Sequence, residues 1–208
     1  TEGKTRFDVR LVQMVRLMRN GEPIKMSKRS GNFVTLADVI GEVGKDVVRF
    51  TMLTRKAVAQ MDFDFAKVVE ASKDNPVFYV NYAHARIHSL ARKAKEAGIQ
   101  APSDDAHIDL SHLDTVDLDL VRLAATFPRV VEAAANAREP HRIAFYLGDL
   151  AAAFHGWWNL GNDDAARRAI LADDLLTTHA RLFLTRAIGQ ILRNGLALMG
   201  VEPVEEMR

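Results

Sequence analysis

From Thr35 onward, apolar residues recur every three or four positions, the period of an α-helix with one buried face. Thr35 can cap a first helix, with Asp38 at its third position, and Gly44 stops it. Asp46 to about Ala57 reads as a second helix with Val47, Phe50, Met52 and Leu53 inward. A third is expected from about Phe65 until Pro76. Val77 to Ala97 carries the stripe Val80, Ala83, Ile87, Leu90 and Ala94, and Gly98 ends it. Residues 99–114, with Pro102, Ser103, Asp104 and Asp105, read as a loop. Two short helices flank Pro128. Pro140 opens a longer helix with Ile143, Leu147, Leu150, Phe154 and Trp157 on one side, ending near Gly161. The last helix, Leu175 to Met199, has a wide apolar face that includes Leu176, Ala180, Phe183, Leu184, Ile188 and Leu192, and Gly200 stops it.

Strand character is confined in this reading to residues 7–35. Phe7 to Leu17 is rich in Val, Leu and Phe with partial alternation, and Asn20-Gly21 turns the chain into a hairpin. A basic loop, Lys25 to Asn32, follows. The fold class is therefore mainly α: an antiparallel helical bundle preceded by a short β-hairpin and a basic loop. A lone hairpin is marginal and needs something to pack against. With Thr1 in place of an initiator methionine, this suggests the carboxy-terminal piece of a longer protein, cut inside its previous domain.

Composition narrows the chemistry. The absence of cysteine excludes a disulfide scaffold, a Cys-ligated zinc and a cysteine nucleophile. No apolar run approaches the roughly 20 residues of a membrane span, and the first ten residues lack a signal-peptide core. A cytoplasmic location and no membrane partner are expected. The net charge of +1 hides an asymmetry: residues 1–100 hold 18 Lys plus Arg against 11 Asp plus Glu, and residues 101–208 hold 10 against 16. A basic first half suits phosphates or a polyanion, but also an ordinary solvated surface with uneven lysine usage.

Lys25-Met26-Ser27-Lys28-Arg29 is the sharpest motif. Two lysines three apart, with Ser27 and a nearby Gly31, can set two ammonium groups on one polyphosphate and stabilise a departing pyrophosphate. The string resembles the KMSKS loop of class I aminoacyl-tRNA synthetases, with Arg29 at the last position. The stretch Leu17 to Phe50, the segments Met61 to Phe65 and Ser72 to Ile87, and the ending Leu198 to Met207 are similar to bacterial arginyl-tRNA synthetases. The later helices resemble that family's DALR-type anticodon-binding domain.

The resemblance implies three parts: residues 1–35 as the remnant of a Rossmann-type catalytic domain, 36–72 as a helical connector touching the tRNA stem, and 73–208 as the anticodon-binding bundle. It implies ATP, with Mg2+, held by Lys25, Met26, Ser27 and Lys28, the two lysines acting in catalysis. Arginine and tRNA(Arg) are the implied partners. The arginine site is missing from the chain, which alone should be inactive. A monomer is expected.

On the helix from Val77, Tyr79, Tyr82, Arg86 and Lys93 share a face beside the buried stripe. Rings can stack on unpaired bases while cations hold phosphates, although a boundary tyrosine beside a solvated arginine gives the same pattern. By resemblance, Tyr82 and Arg86 take anticodon-contacting positions. Trp157 continues an apolar stripe, whereas Trp158 points about 100° away and matches a base-contacting aromatic of the family. Met207 matches the family's carboxy-terminal methionine, with Arg208 added after it. His84 and His88 have ligand spacing but no third partner, so no metal is expected and a structural role suits His84. Asp62 and Asp64 lie in a segment resembling the family's domain junction. The alternatives are a cysteine- or methionine-type class I synthetase, a non-catalytic tRNA-binding module, and a helical protein-interaction module.

Overall fold

The computed structural model describes residues 3, 9–26, 31, 33–99 and 108–207. Two packing units share them. The smaller is built on a three-stranded sheet of order β2-β1-β3, where β1 is Val15–Arg19, β2 is Glu22–Pro23 and β3 is Met61–Asp64. Asn20 and Gly21, both at positive φ (52° and 84°), make the tight turn expected of Asn-Gly. β3 lies parallel to β1, with Val15 opposite Met61 and Met18 opposite Asp64. Asp64 ties the turn down by accepting from the Gly21 amide at 2.7 Å and the Ala66 amide at 3.0 Å.

Helix α1, Leu36–Val43, starts at Thr35, whose hydroxyl accepts from the Asp38 amide while the Asp38 carboxylate accepts from the Thr35 amide. Gly44, at φ 86°, breaks the chain sharply into α2, Lys45–Leu53. Val39, Val43 and Val48 close over Met61, Phe63 and Phe65 as a small core.

Two expectations fail here. Strand character is not confined to residues 7–35, since β3 lies well beyond them. The helix expected from Phe65 to Pro76 is only a 3-10 turn, Lys67–Val69. The Asn75 side chain explains the second: it donates to the carbonyls of Val68 (3.0 Å) and Glu70 (2.8 Å) and accepts from the Val77 amide. The backbone before Pro76 is thereby committed to capping the next helix.

The larger unit is the bundle: α3 (Pro76–Glu96), α4 (Thr115–Ala125), α5 (Phe127–Ala137), α6 (His141–Asp163) and α7 (Leu175–Leu198). The stripes read from the sequence meet in its core: Val80, Ala83, Ile87, Leu90, Leu147, Leu150, Phe154, Ile188 and Leu192 are all buried. Helix α6 runs two residues past Gly161, which is interior because Arg168 packs 3.2 Å from where a Cβ would stand. Leu176 departs from its expected burial; it lies exposed in the first turn of α7. The two units are pinned together by Arg49, which donates to the Met199 carbonyl at 2.8 Å. Gly200, at φ 67°, accommodates that guanidinium where any Cβ would collide with it.

A polar network crosses the bundle. Buried Asp117 accepts from Trp157 Nε1 at 2.6 Å and Arg181 Nε at 3.1 Å. Arg181 also donates to the carbonyls of Ala166 and Arg168 at 2.8 and 2.9 Å. Arg167 pairs with Asp114 at its edge.

Candidate nucleic-acid interface

The firm cap at Asn75 fixes the rotation of α3, and with it the positions of Tyr79, Tyr82 and Arg86 on successive turns. Arg86 is the centre of the arrangement. One guanidinium nitrogen donates to the Tyr82 hydroxyl, and the other lies 3.1 Å from His155 Nδ1 on α6. Its Cζ stands 4.4 Å from the Tyr82 ring centroid and 5.1 Å from that of Trp158. Tyr82 also stacks on the His155 ring at 5.1 Å.

His155, only 5% exposed, was not singled out from the sequence. Its Nε2 lies 3.3 Å from the Tyr79 carbonyl, an obligate acceptor, so Nε2 carries the proton and Nδ1 is left to accept from Arg86. That requires a neutral ring. Burial, aided by the adjacent Arg86 charge, lowers the His155 pKa against the opposing Tyr79 carbonyl. His155 thus orients Arg86 without competing with it for anions.

The expected residues fall into three groups. Tyr79, Tyr82, Arg86 and Trp158 converge: Tyr82 is 37% exposed, and the others are half-buried. Trp157 is in the core, as its stripe suggests. Beside Trp158, Lys93, Asn162 and Arg168 line a cavity of about 230 Å³. Met207 is half-buried at the end of a tail laid along α3. The Val204 amide donates to Asn81 Oδ1 at 3.0 Å, its carbonyl accepts from His84 Nδ1 at 2.9 Å, and Glu205 meets Arg193 at 3.0 Å. Lys25 and Met26 are exposed just after β2, and Ser27 and Lys28 lie outside the described residues.

The second half keeps its excess of acids, 16 against 10 basic residues, but several of them are committed to partners. Asp114 and Asp117 are consumed by Arg167 and Arg181, Asp119 pairs with Arg122, and Asp174 caps α7. Lys93 and Arg168 stand beside Trp158 at the edge of the aromatic cluster. Asp62 pairs with Arg16, and Asp64 holds the turn, so these two carboxylates serve the sheet. The rings of His84 and His88 are 4.5 Å apart, and among the described residues no group of three or more His, Asp or Glu could hold a metal.

The family model for the DALR anticodon binding domain matches residues 80–207, more than half of the chain. The chain belongs to that family. An arginine–tRNA ligase of Novosphingobium aromaticivorans is 67% identical over 97% of this chain, and one of Parvibaculum lavamentivorans is 61% identical over all of it. The chain spans about a third of the length of these relatives, 34% and 36%. The Thermus thermophilus arginyl-tRNA synthetase structure matches with a TM-score of 0.72 and 25% identity, covering 92% of this chain and 34% of that one. Mycobacterium tuberculosis methionyl-tRNA synthetase shares the fold at a TM-score of 0.63 and 17% identity, covering 85% and 33%. No helix among the described residues is long and apolar enough to cross a membrane.

The DALR bundle should lose stability in mild acid. Burial lowers the pKa of both His84 and His155 below the ordinary histidine value of 6.5, and does the same to His88 and His141. As pH falls through about 6.5, the unfolded chain binds protons that the folded one refuses. Stability present above that value is therefore lost as pH drops toward the folded-state values. The urea midpoint should fall between pH 7.5 and 5, before the carboxylates titrate. A flat profile in that window would mean that the rings take up protons in the fold as readily as in the unfolded chain.

Proposed function

We propose that this chain is the tRNA-reading part of an arginine–tRNA ligase, with its DALR bundle holding the anticodon of tRNA(Arg). The convergence of Tyr82, Arg86 and Trp158 on one surface, braced by a neutral His155, carries the reading. Rings and a planar cation offer stacking to unpaired bases, and Lys93 and Arg168 beside them offer charge to the phosphates. The high identity to arginine–tRNA ligases supports arginine over the methionine type, whose likeness is one of fold. Tyr79 and Met207 complete the RNA face in this proposal.

In the complete enzyme, ATP would be a substrate, activating arginine before its esterification to tRNA. Lys25 and Lys28 would hold the phosphates and the charge that develops on the leaving pyrophosphate, with Met26 and Ser27 shaping the loop. Mg2+ does not fit the described residues as a resident ion, since they offer no ligand cluster. Residues 1–35 would then be catalytic-domain remnant, 36–72 a stem-contacting connector and 73–208 the anticodon-binding bundle, in a monomeric cytoplasmic protein.

Binding to a tRNA(Arg) transcript, compared with the same transcript altered at its central anticodon base, tests the reading. We expect at least a tenfold preference for the unaltered tRNA, within the range of about 1–3 kcal/mol for one stacked base. Equal affinities would reject anticodon reading. No binding even at low salt, where counterion release favours RNA most, would favour a protein-interaction bundle.

A further inference from the structure

A second cavity, of about 450 Å³, opens between α3 and α7. His84, on its wall, lies about 200° around α3 from Tyr82, so this cavity is on the opposite flank from the RNA face. Ile87, Ile99 and Leu182 give it apolar walls, and Lys95, Gln190 and Arg193 edge it. Its volume is in the range of small-molecule sites.

His84 is fully buried there, with one ring nitrogen unexplained. Nδ1 must donate to the Val204 carbonyl, which can only accept, so Nε2 is a bare acceptor. It has no hydrogen-bond partner. Buried polar atoms are almost always satisfied, so an orphan on a cavity wall indicates a missing donor. His88, lining the same cavity, packs its ring 4.5 Å from that of His84 and is otherwise held by contacts of 3.4 Å to Arg193 and 3.9 Å to Glu205, so its ring must turn aside for a ligand to reach the buried Nε2.

We infer that this cavity binds a flat heteroaromatic ring carrying an N–H donor and an anionic group, the chemistry of an amino-substituted nucleoside phosphate. The ring lies on the apolar walls, its N–H donates to His84 Nε2, and the phosphate meets Lys95 and takes the place of Glu205 on Arg193. The occupant is either a free nucleotide or an unstacked nucleotide of an RNA. Because His84 also anchors the tail at Val204, the ligand would steady the segment that carries Met207. The inference does not depend on anticodon reading.

The test follows the ¹⁵N resonance of His84 Nε2 during titration with AMP, with purine riboside 5′-monophosphate, which lacks every base N–H, and with a short oligoadenylate. AMP should move the resonance saturably, and the purine analogue should bind at least tenfold more weakly. Saturation by oligoadenylate alone would support the inference with RNA as the source. Ala91→Trp, placed on the exposed part of the cavity wall, should abolish binding while leaving the fold intact. The inference is overturned if neither AMP nor oligoadenylate moves the resonance, if the purine analogue binds as tightly as AMP, or if Ala91→Trp binds like the parent.

Discussion

Asp117→Ala is expected to cost about 3–5 kcal/mol of folding stability and to lower the urea midpoint by roughly 1–3 M. The carboxylate is 1% exposed and joins three elements of the bundle. It accepts from Trp157 on α6, from Arg181 on α7 and from the Asp114 amide that starts α4. Truncation leaves the Arg181 guanidinium, itself 5% exposed, without its closest counter-charge and strands the indole N–H as well. Leaving a buried charge unpaired costs far more than the pair contributes over an apolar substitute. Asp117→Leu with Arg181→Met should therefore recover much of the loss from Asp117→Ala. Asp119→Ala removes a partner from an exposed pair with Arg122 and should cost under about 1 kcal/mol. Equal effects at Asp117 and Asp119 would show that the buried network adds nothing.

The parts of the fold legible in the sequence are those whose signal is local. Helices α3, α6 and α7 each carry a full stripe, and their observed ends lie within a few residues of the reading; Pro140 marks the start of α6 in the sequence, whereas the caps at Asn75 and Asp174 emerge only in the structure. Strand β3 was hidden because Met61–Asp64 pairs with β1, whose Arg16 meets Asp62 from 46 residues away. Alternation over four residues between Gln60 and Phe65 is too short to outweigh the helical pattern around it. Tyr82, Arg86 and Trp158 could be found from helical spacing and family likeness. His155 could not, because spacing places it beside the Phe154–Trp157 stripe but says nothing of Arg86, 69 positions away, or of the proton on Nε2. The partners of Asp114 and Asp117, namely Arg167 and Arg181, are likewise set by tertiary packing and not by spacing.

Arg86→Ala should weaken binding to tRNA(Arg) by about 2–3 kcal/mol, roughly 30- to 150-fold, and remove most of the discrimination against an altered central anticodon base. The size follows from what the side chain holds together. Its fork donates to the Tyr82 hydroxyl and to His155 while its plane lies against the rings of Tyr82 and Trp158. Removing it takes away the bridge between the two rings, leaving Tyr82 against His155 and Trp158 against Phe154. Arg86→Lys should not rescue, because an ammonium can neither bridge two acceptors in one plane nor stack between rings. Tyr82→Ala should cost about 1–3 kcal/mol, as for one lost stacked base. Lys93→Ala gives the contrast: it lines the neighbouring cavity without joining the ring cluster, so it should weaken both tRNAs equally and reduce the salt slope by about 1. Arg86→Ala and Lys93→Ala should both keep the parent folding stability in urea to within about 1 kcal/mol, since neither position lies in the core. If Arg86→Ala weakened both tRNAs in equal proportion, as Lys93→Ala is expected to, Arg86 would be holding phosphate, and base reading would have to reside elsewhere on the bundle.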